Sequence, residues 1–492
     1  MGQFICAIDQ GTTGTTVIIL DESLHVRARV TREFEQIFPK PSWVEHDPEV
    51  IWESTQATLA GAQQEAGIGP EDIAAVGITN QRETTVVWDR KTGAPIHNAI
   101  VWQDRRTRGR IQQLVDDGHE SWVQERTGLI LDPYFAGTKV EWILKHVDGA
   151  RQRARDGELA FGTIDSYLVW KLTAGDVHVT DVSNASRTQL MDLKETRWDD
   201  ELLKLFGVPR QILPQIVGNS EVYGEVRGVK GLADGTPICG MAGDQQAALF
   251  GQVCFTPGEA KCTYGTGAFL LMNTGSKPVA SQHRMLSTAA WQIDGEMTYA
   301  LEGSAFIAGA MVQWLRDGLG IIESAAEIET LAKSVESSDG VVAVPSLSGL
   351  GAPHWNPGAR GVLWGLTRGT TRAHIARAVL EGIALQNVDI LQAMEQDLGK
   401  ALKILRVDGG ACANNALMQM QADFLNLEIV RPRMTDTTAL GAALLAGLAA
   451  GVFEDLEQIR ATWQEERRFQ PSMGNQQRER HLKQWQQGLS RV

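Results

Sequence analysis

The chain of 492 residues carries 43% hydrophobic and 22% charged residues and a formal net charge of −14. This length is too great for one compact core and predicts two domains, each with its own core. The acidic balance argues against a general nucleic-acid or anionic-membrane binder.

Cysteines and apolar runs favour a cytoplasmic protein without membrane insertion. The five cysteines are scattered and never form a CxxC pair, which indicates free thiols in a reducing cytosol and neither a disulfide framework nor a zinc site. The start of the sequence lacks a basic-then-apolar signal pattern. The longest uncharged run, 437–453, is shorter than the roughly 20 residues of a membrane span and predicts a buried helix.

The first predicted elements are strands at 4–8 and 17–20, joined by a turn rich in Gly and Thr. The glycines let the backbone approach a phosphate, successive amides form an anion-binding nest, and the Thr hydroxyls add donors. The carboxylate of Asp9 is a candidate ligand for Mg²⁺, which prefers hard oxygen ligands. A plain hairpin turn has the same composition, so the segment alone supports both interpretations equally.

A helix is predicted over 48–66, opened by Asp47 and Pro48, and short strands over 74–79 and 84–88. Arg82 and Glu83 lie between these two strands. They predict either a solvated charge pair on a surface turn or a pair directed into a cleft. In a cleft, Arg donates hydrogen bonds to a small neutral polyol and Glu accepts them.

Three aromatic residues are candidates for the wall of such a cleft. Tyr134 follows a turn and precedes a segment of helical spacing at 138–146, so its hydroxyl serves either a substrate or the core. Trp102 and Phe269 are typical core residues, or they supply the apolar wall that a carbon chain needs. Helical spacing recurs at 164–172.

Asp244 and Gln245 directly precede an Ala- and Leu-rich helical segment. An Asp at this place is typical of a helix N-cap, where it accepts amide hydrogen bonds. A carboxylate there can also accept a proton from a substrate hydroxyl in phosphoryl transfer. The two roles compete for the same oxygens, and this segment leaves both open.

The second half repeats the Gly/Thr design at 261–271, and a Gly-rich turn at 407–415 follows a strand and opens a helix at 416–425. These repeats predict a duplicated fold with domains 1–252 and 253–492 and a cleft between them, in which two nests clamp nucleotide phosphates. HExxH, GxSxG and GxxxxGK[ST] motifs are absent from the sequence, so protease, esterase and P-loop functions lack support.

The ordered set of motifs resembles the FGGY carbohydrate kinases of the actin/Hsp70/sugar-kinase superfamily, from about residue 4 to residue 469. The Asn-Gln-Arg-Glu-Thr and Gly-Asp-Gln-Gln elements favour the glycerol-phosphorylating members over the pentulose kinases. The segments that carry the resemblance are Asp9-Gln-Gly-Thr-Thr, Gly77-Ile-Thr-Asn-Gln-Arg-Glu-Thr-Thr, Asp132-Pro-Tyr-Phe, Ala242-Gly-Asp-Gln-Gln, Thr263-Tyr-Gly-Thr-Gly, 134–146 with Lys139 and Trp142, and 361–381.

The resemblance implies an α/β fold of two RNase H-like domains, each a mixed five-stranded sheet flanked by helices, with ATP, Mg²⁺ and glycerol in the interdomain cleft. It implies phosphorylation of glycerol to sn-glycerol 3-phosphate in glycerol catabolism, with Asp244 as base, in a homodimer or homotetramer. The implied glycerol-binding residues are Arg82, Glu83, Trp102, Tyr134, Asp244, Gln245 and Phe269. The implied nucleotide-binding residues are Thr12, Thr13, Gly14, Thr266, Gly309, Gln313, Gly410 and Asn414, and the implied metal ligands are Asp9 and Asp244.

Two positions depart from the family pattern. Family members usually carry Arg near the nucleotide phosphates where this chain has Thr16, so nucleotide affinity or phosphate charge balance is expected to differ. Some bacterial members bind an inhibitory sugar bisphosphate through a Gly-Gly-x-Arg loop. The matching segment 228–235 lacks that Arg and gains Asp234, so bisphosphate inhibition is not expected.

Two other functions stay open on the sequence. One is a kinase of the same family for another small polyol or keto-sugar, such as dihydroxyacetone or a pentulose. The other is a non-kinase ATPase of the superfamily, a chaperone or filament former. The paired polar residues at 82–83 and 244–245 argue against the latter, because such proteins need no small-substrate pocket.

Overall fold

The computed structural model describes residues 4–492. The strands, in chain order, are β1 (Phe4–Gln10), β2 (Gly14–Asp21), β3 (Val26–Glu33), β4 (Glu45–His46), β5 (Ile73–Asn80), β6 (Val86–Asp89), β7 (Ala99–Ile100), β8 (Leu159–Gly162), β9 (Val179–Asp181), β10 (Met191–Asp192), β11 (Arg197–Trp198), β12 (Gln215–Val217), β13 (Ser220–Glu225), β14 (Pro237–Gly243), β15 (Ala260–Tyr264), β16 (Ala268–Gly275), β17 (Leu286–Ile293), β18 (Glu296–Ala305), β19 (Val342–Val344), β20 (Val362–Trp364), β21 (Ile404–Asp408), β22 (Glu428–Pro432) and β23 (Glu465–Phe469).

The helices, in chain order, are α1 (Pro48–Ala66), α2 (Arg108–Asp116), α3 (Glu120–Thr127), α4 (Ala136–His146), α5 (Ala150–Arg155), α6 (Ile164–Leu172), α7 (Val182–Ala185), α8 (Asp200–Phe206), α9 (Asp244–Gly251), α10 (Gly309–Asp317), α11 (Glu327–Lys333), α12 (Arg372–Leu398), α13 (Asn415–Leu425), α14 (Thr437–Ala449), α15 (Leu456–Thr462) and α16 (Asn475–Leu489). The predicted helices at 48–66 and 164–172 are confirmed. Asp47 caps α1 by accepting a hydrogen bond from the Glu49 amide at 2.9 Å.

Two large sheets share one topology. The first has the order β13-β14-β5-β1-β2-β3, in which β1, β2 and β3 are antiparallel and β5 and β14 continue parallel to β1. The second has the order β17-β18-β16-β15-β21-β22-β23. Its inner strands β18-β16-β15-β21-β22 repeat the order and directions of β3-β2-β1-β5-β14. The predicted duplicated α/β fold is therefore confirmed.

The expected five strands per sheet were wrong at the sheet edges. Strand β13 adds a sixth strand to the first sheet, and β17 and β23 extend the second sheet to seven. Each is an antiparallel neighbour of an outer strand, so it covers an edge whose amides and carbonyls would otherwise lack partners.

The first turn is shorter than the predicted 9–16 segment. The ladder between β1 and β2 continues through the pairs Asp9–Thr16 and Gln10–Thr15, so residues 11–13 alone connect the strands. The predicted strand at 84–88 also differs, because β6 begins at Val86 and pairs with β8 outside the large sheets.

The predicted buried helix in the uncharged run 437–453 is α14, which ends at Ala449. It packs against β1, β5 and β14 of the first sheet, although it comes from the second half of the chain. Glycines allow α14 to approach its neighbours closely. A Cβ at Gly77 on β5 would lie 2.2 Å from the Ala442 carbonyl oxygen of α14, and one at Gly441 on α14 would lie 1.8 Å from the Ala247 carbonyl oxygen of α9. Within residues 4–492, no helix has the length and apolar character to cross a bilayer.

We expect Gly441→Ala to lower the free energy of unfolding by roughly 1–3 kcal/mol or more, because the added methyl group forces α14 away from α9. Gly474→Ala is the matched control, since a Cβ there meets no atom within 4 Å. The measurement is the guanidinium midpoint of both variants. Equal midpoints would show that the α9–α14 contact is not tightly packed.

Candidate active site

Two neighbouring cavities contain most of the predicted site residues, and Thr266 lines both. The smaller, of about 150 Å³, is lined by Thr12, Arg82, Glu83, Trp102, Tyr134, Asp244, Gln245, Thr266, Gly267 and Phe269. The larger, of about 420 Å³, is lined by residues of the second half, among them Gly265, Thr266, Gly309, Gln313, Glu329, Gly410 and Asn414.

The structure brings every predicted glycerol-binding residue to the smaller cavity. Of the predicted nucleotide-binding residues, Thr266, Gly309, Gln313, Gly410 and Asn414 line the larger cavity and Thr12 the smaller. Thr13, Gly14 and Asp9 line neither cavity. They belong to the first turn and its flanking strands, next to Thr12.

Strand topology explains this convergence. Thr12, Arg82 and Asp244 follow β1, β5 and β14, which are neighbouring parallel strands of the first sheet. The carboxyl ends of parallel strands meet at one edge of a sheet, where ligands bind in open α/β folds. Thr266 lies in the equivalent turn of the second sheet, between β15 and β16.

Arg82 belongs to a buried charge network that joins the two halves. Its Nη1 and Nη2 donate to the two carboxylate oxygens of Glu302 on β18 at 2.5 and 3.0 Å. Arg187 donates to Glu302 at 2.9 Å and to Glu83 at 2.6 Å. Although burial opposes ionisation, Arg187 and Arg82 hold the pKa of Glu302 down at about 2, so this carboxylate is charged.

Sequence reasoning missed Glu302 and Arg187. A signal for Glu302 exists, because it is the one charged residue in the apolar stretch 299–307, and a charge inside a buried strand needs a partner. Nothing in the sequence identifies that partner, which lies 220 positions away.

A buried lysine stabilises the loop that carries Glu83 through a hydrogen bond to its backbone. Glu83 has a φ of 59°, a left-handed conformation that is unusual for a residue with a side chain. The buried Lys139 Nζ donates to the carbonyl oxygens of Glu83 at 3.2 Å and Tyr134 at 2.5 Å. Burial lowers the pKa of Lys139 to about 7. Lys139 therefore fixes two residues of the smaller cavity.

The helix N-cap interpretation of Asp244 was wrong, because Gly243 is the N-cap of α9 and Asp244 is the first residue of the helix. Oδ1 accepts the Gln245 amide at 2.7 Å, close to the start of α9, and lies 3.2 Å from Arg82 Nε. Among the described residues, no donor contacts Oδ2. The side chain is 31% exposed in the cavity. Burial raises the pKa of this carboxyl, while Arg82 and Lys261 oppose that rise.

Aromatic rings form the opposite wall. The ring of Trp102 meets Tyr134 edge-on at 5.7 Å and Phe269 at 6.4 Å. Its indole nitrogen donates to Thr12 Oγ1 at 2.9 Å. This hydrogen bond couples the apolar wall of the smaller cavity to the first turn.

The buried, carboxylate-rich environment of Asp9 favours the binding of a cation. Burial and the carboxylates of Asp244 and Asp436 raise its pKa to about 7, against the opposing charge of Arg29. Within residues 4–492, no group donates a hydrogen bond to its carboxylate, and no three His, Cys, Asp or Glu side chains form a ready metal cluster. A hard cation held by Asp9 and Asp244 would therefore complete its shell with water or ligand oxygens, as Mg²⁺ does.

Family models match nearly the whole chain. Residues 4–251 match the N-terminal domain and residues 260–450 the C-terminal domain of the FGGY family of carbohydrate kinases. The chain is 57% identical over 492 residues to the glycerol kinase of Myxococcus xanthus, with 100% of this chain and 99% of the relative covered. It is 54% identical over 493 residues to that of Bdellovibrio bacteriovorus, with 100% of both covered.

Solved structures show the same architecture. Plasmodium falciparum glycerol kinase with ADP superposes with a TM-score of 0.92 at 36% identity and covers 99% of this chain and 98% of its own. A ligand-bound xylulose kinase from Lactobacillus acidophilus superposes with a TM-score of 0.88 at 22% identity, with 99% and 97% covered, and supports the fold alone.

Proposed function

The chain belongs to the FGGY family of carbohydrate kinases, and we propose that it transfers the γ-phosphoryl group of ATP to glycerol, giving sn-glycerol 3-phosphate. The observation that carries this proposal is the pair of adjoining cavities that share Thr266. The smaller has the dimensions and polarity for a three-carbon polyol. The curated relatives that match at full length are glycerol kinases.

In the smaller cavity, glycerol is fixed by groups of opposite hydrogen-bonding character. Arg82 donates hydrogen bonds and Glu83 and Asp244 accept them, while Trp102 and Phe269 cover the carbon chain. Asp244 Oδ2 takes the proton of the attacking hydroxyl. The transition state is loose, so this transfer comes late and needs only a modestly raised pKa.

The phosphates lie between the two Gly/Thr turns, which present amides and hydroxyls to the transferring group. The adenosine occupies the larger cavity beside Gly309, Gln313, Gly410 and Asn414. Asp9 and Asp244 would hold Mg²⁺, which would neutralise charge on the phosphate oxygens. Positioning and charge stabilisation supply most of the catalysis in such a reaction.

The test of this function is an ADP-release assay with ATP, Mg²⁺ and a panel of acceptors at equal concentration. We expect kcat/KM for glycerol to exceed that for dihydroxyacetone and xylulose, and ATP hydrolysis without acceptor to be slow. Preference for a pentulose would assign the protein to another acceptor. ATPase activity independent of acceptor would indicate a non-kinase function.

Gly410→Val tests the nucleotide cavity. A Cβ at Gly410 meets no atom within 4 Å, so the fold tolerates the side chain, which then occupies part of the cavity. We expect KM for ATP to rise about tenfold, the equivalent of roughly 1.4 kcal/mol, with KM for glycerol unchanged. Gly109→Val is the control, because its Cβ position is equally open and lies outside both cavities. Equal ATP kinetics in both variants would place the nucleotide elsewhere.

We also propose a cytoplasmic location and a homodimeric or homotetrameric state. All five cysteines are buried and unpaired, which suits a reducing compartment. The oligomeric state rests on the family resemblance, and light scattering on the purified protein checks it.

A further inference from the structure

A row of polar side chains crosses the first sheet beside the first turn. Asp9 on β1 pairs with Thr16 on β2, which pairs in turn with Thr31 on β3. The Thr16 and Thr31 hydroxyls are 2.9 Å apart. Arg29 lies two residues before Thr31 on the same strand face, and its Nη1 donates to Thr31 Oγ1 at 3.4 Å. The guanidinium of Arg29 therefore lies beside the hydroxyl of Thr31, next to Thr16.

Asp436 holds this guanidinium in the structure. Arg29 Nε and Nη2 donate to its two carboxylate oxygens, both at 3.0 Å. Asp436 stands at the N-cap of α14, yet its side chain caps no helix amide, so its carboxylate is committed to Arg29. The Arg29 side chain is 48% exposed and that of Asp436 38% exposed, which makes the pair weak and exchangeable.

Carboxylates surround Asp9 at the first turn. Those of Asp244 and Asp436 both raise the pKa of Asp9, and the cation that opposes them there is Arg29. Thr16 is a neutral hydroxyl. A guanidinium binds phosphate oxygens through two parallel hydrogen bonds, and an arriving diphosphate or triphosphate competes directly with Asp436 for it.

We propose that Arg29 is a phosphate-binding residue, which exchanges Asp436 for oxygens of the nucleotide β- and γ-phosphates. This inference rests on the proposed function only in placing the phosphates at the first turn. The proposed phosphate-binding cation therefore lies on β3, two residues along the strand from Thr31, which pairs with Thr16.

The test is the affinity of ADP and AMP for Arg29→Ala, measured by isothermal titration calorimetry with Mg²⁺ and without glycerol. We expect the ADP Kd to rise about 10- to 100-fold, as for the loss of a charge-assisted hydrogen bond, and the AMP Kd to change less than threefold. Arg27→Ala is the control, because Arg27 lies on the same strand but faces Asp21 at 3.9 Å. An ADP Kd within twofold of the wild type overturns the proposal.

A second variant separates phosphate binding from a purely structural ion pair. Asp436→Asn breaks the same pair but leaves the guanidinium free for phosphate, so ADP affinity should stay the same or increase. If Arg29 acts only by tying β3 to α14, both variants weaken ADP binding and lower Tm equally, and the proposal fails.

Relocating the cation gives a positive test. Thr16→Arg in the Arg29→Ala background should recover most of the lost ADP affinity, because it places a guanidinium on the neighbouring strand, opposite Thr31. Absence of recovery in a variant with wild-type Tm counts against the proposal. A wild-type protein that binds ADP through Arg29 but does not phosphorylate glycerol would refute the proposed acceptor and leave this inference standing.

Discussion

Asp244→Asn is expected to lower kcat by a factor of about 10²–10⁴, the usual contribution of a general base. The amide keeps an acceptor for the Gln245 N–H, so the start of α9 is preserved. It replaces Oδ2, the carboxylate oxygen that accepts no hydrogen bond from the described residues, in a side chain that lines the smaller cavity. The measurement is steady-state ADP release at saturating glycerol and ATP, with Tm to confirm folding.

Mg²⁺ titration distinguishes a base from a cation ligand. If Asp244 only held the metal, a high Mg²⁺ concentration would restore turnover in Asp244→Asn, whereas loss of the base is not restored. Asp317→Asn is the control, because Asp317 is 63% exposed and pairs with its neighbour Arg316 at the surface. Turnover within tenfold of the wild type would remove Asp244 from the role of base.

Glu302→Gln is expected to lower the free energy of unfolding by roughly 3–5 kcal/mol, because it leaves Arg82 and Arg187 buried without their shared counter-charge. Both guanidinium groups are at most 2% exposed, so water cannot replace the carboxylate. KM for glycerol should also rise, since Glu302 orients Arg82. Denaturant unfolding and glycerol saturation curves check the two effects.

The control for this variant is Asp200→Asn. Asp200 pairs with Arg210 at 2.5 Å, but its side chain is 78% exposed, and such pairs contribute at most about 1 kcal/mol. If Glu302→Gln is no more destabilising than Asp200→Asn, the buried network does not tie the two halves together.

Local patterns identified candidate site residues, and the family resemblance assigned their roles. Arg82 and Glu83 follow a predicted apolar strand, Asp244 precedes a predicted helix, and Thr12 and Thr266 occupy Gly/Thr turns. Their order along the chain carried the family resemblance. The structure collects them at one edge, because the strands that precede them are parallel neighbours in each sheet.

Other features depend on contacts between distant segments. The edge strands β13, β17 and β23 were not anticipated, since the family pattern describes only the repeated inner strands. The packing of α14 on the first sheet could not be predicted either. The uncharged run predicts a buried helix, but the sheet that buries it belongs to the other half of the chain.

The sequence by itself indicated the duplicated Gly/Thr turns, and through the family resemblance the fold class and the residues that line the smaller cavity, because turns and motifs consist of a few consecutive residues. Only the tertiary structure decided how charges are paired: Glu302 with Arg82 and Arg187, Lys139 with the Glu83 and Tyr134 carbonyls, and Arg29 with Asp436. A charged side chain within a buried strand needs a partner of opposite charge. Which residue becomes that partner depends on how the two halves of the chain pack, and nothing in the neighbouring sequence indicates it.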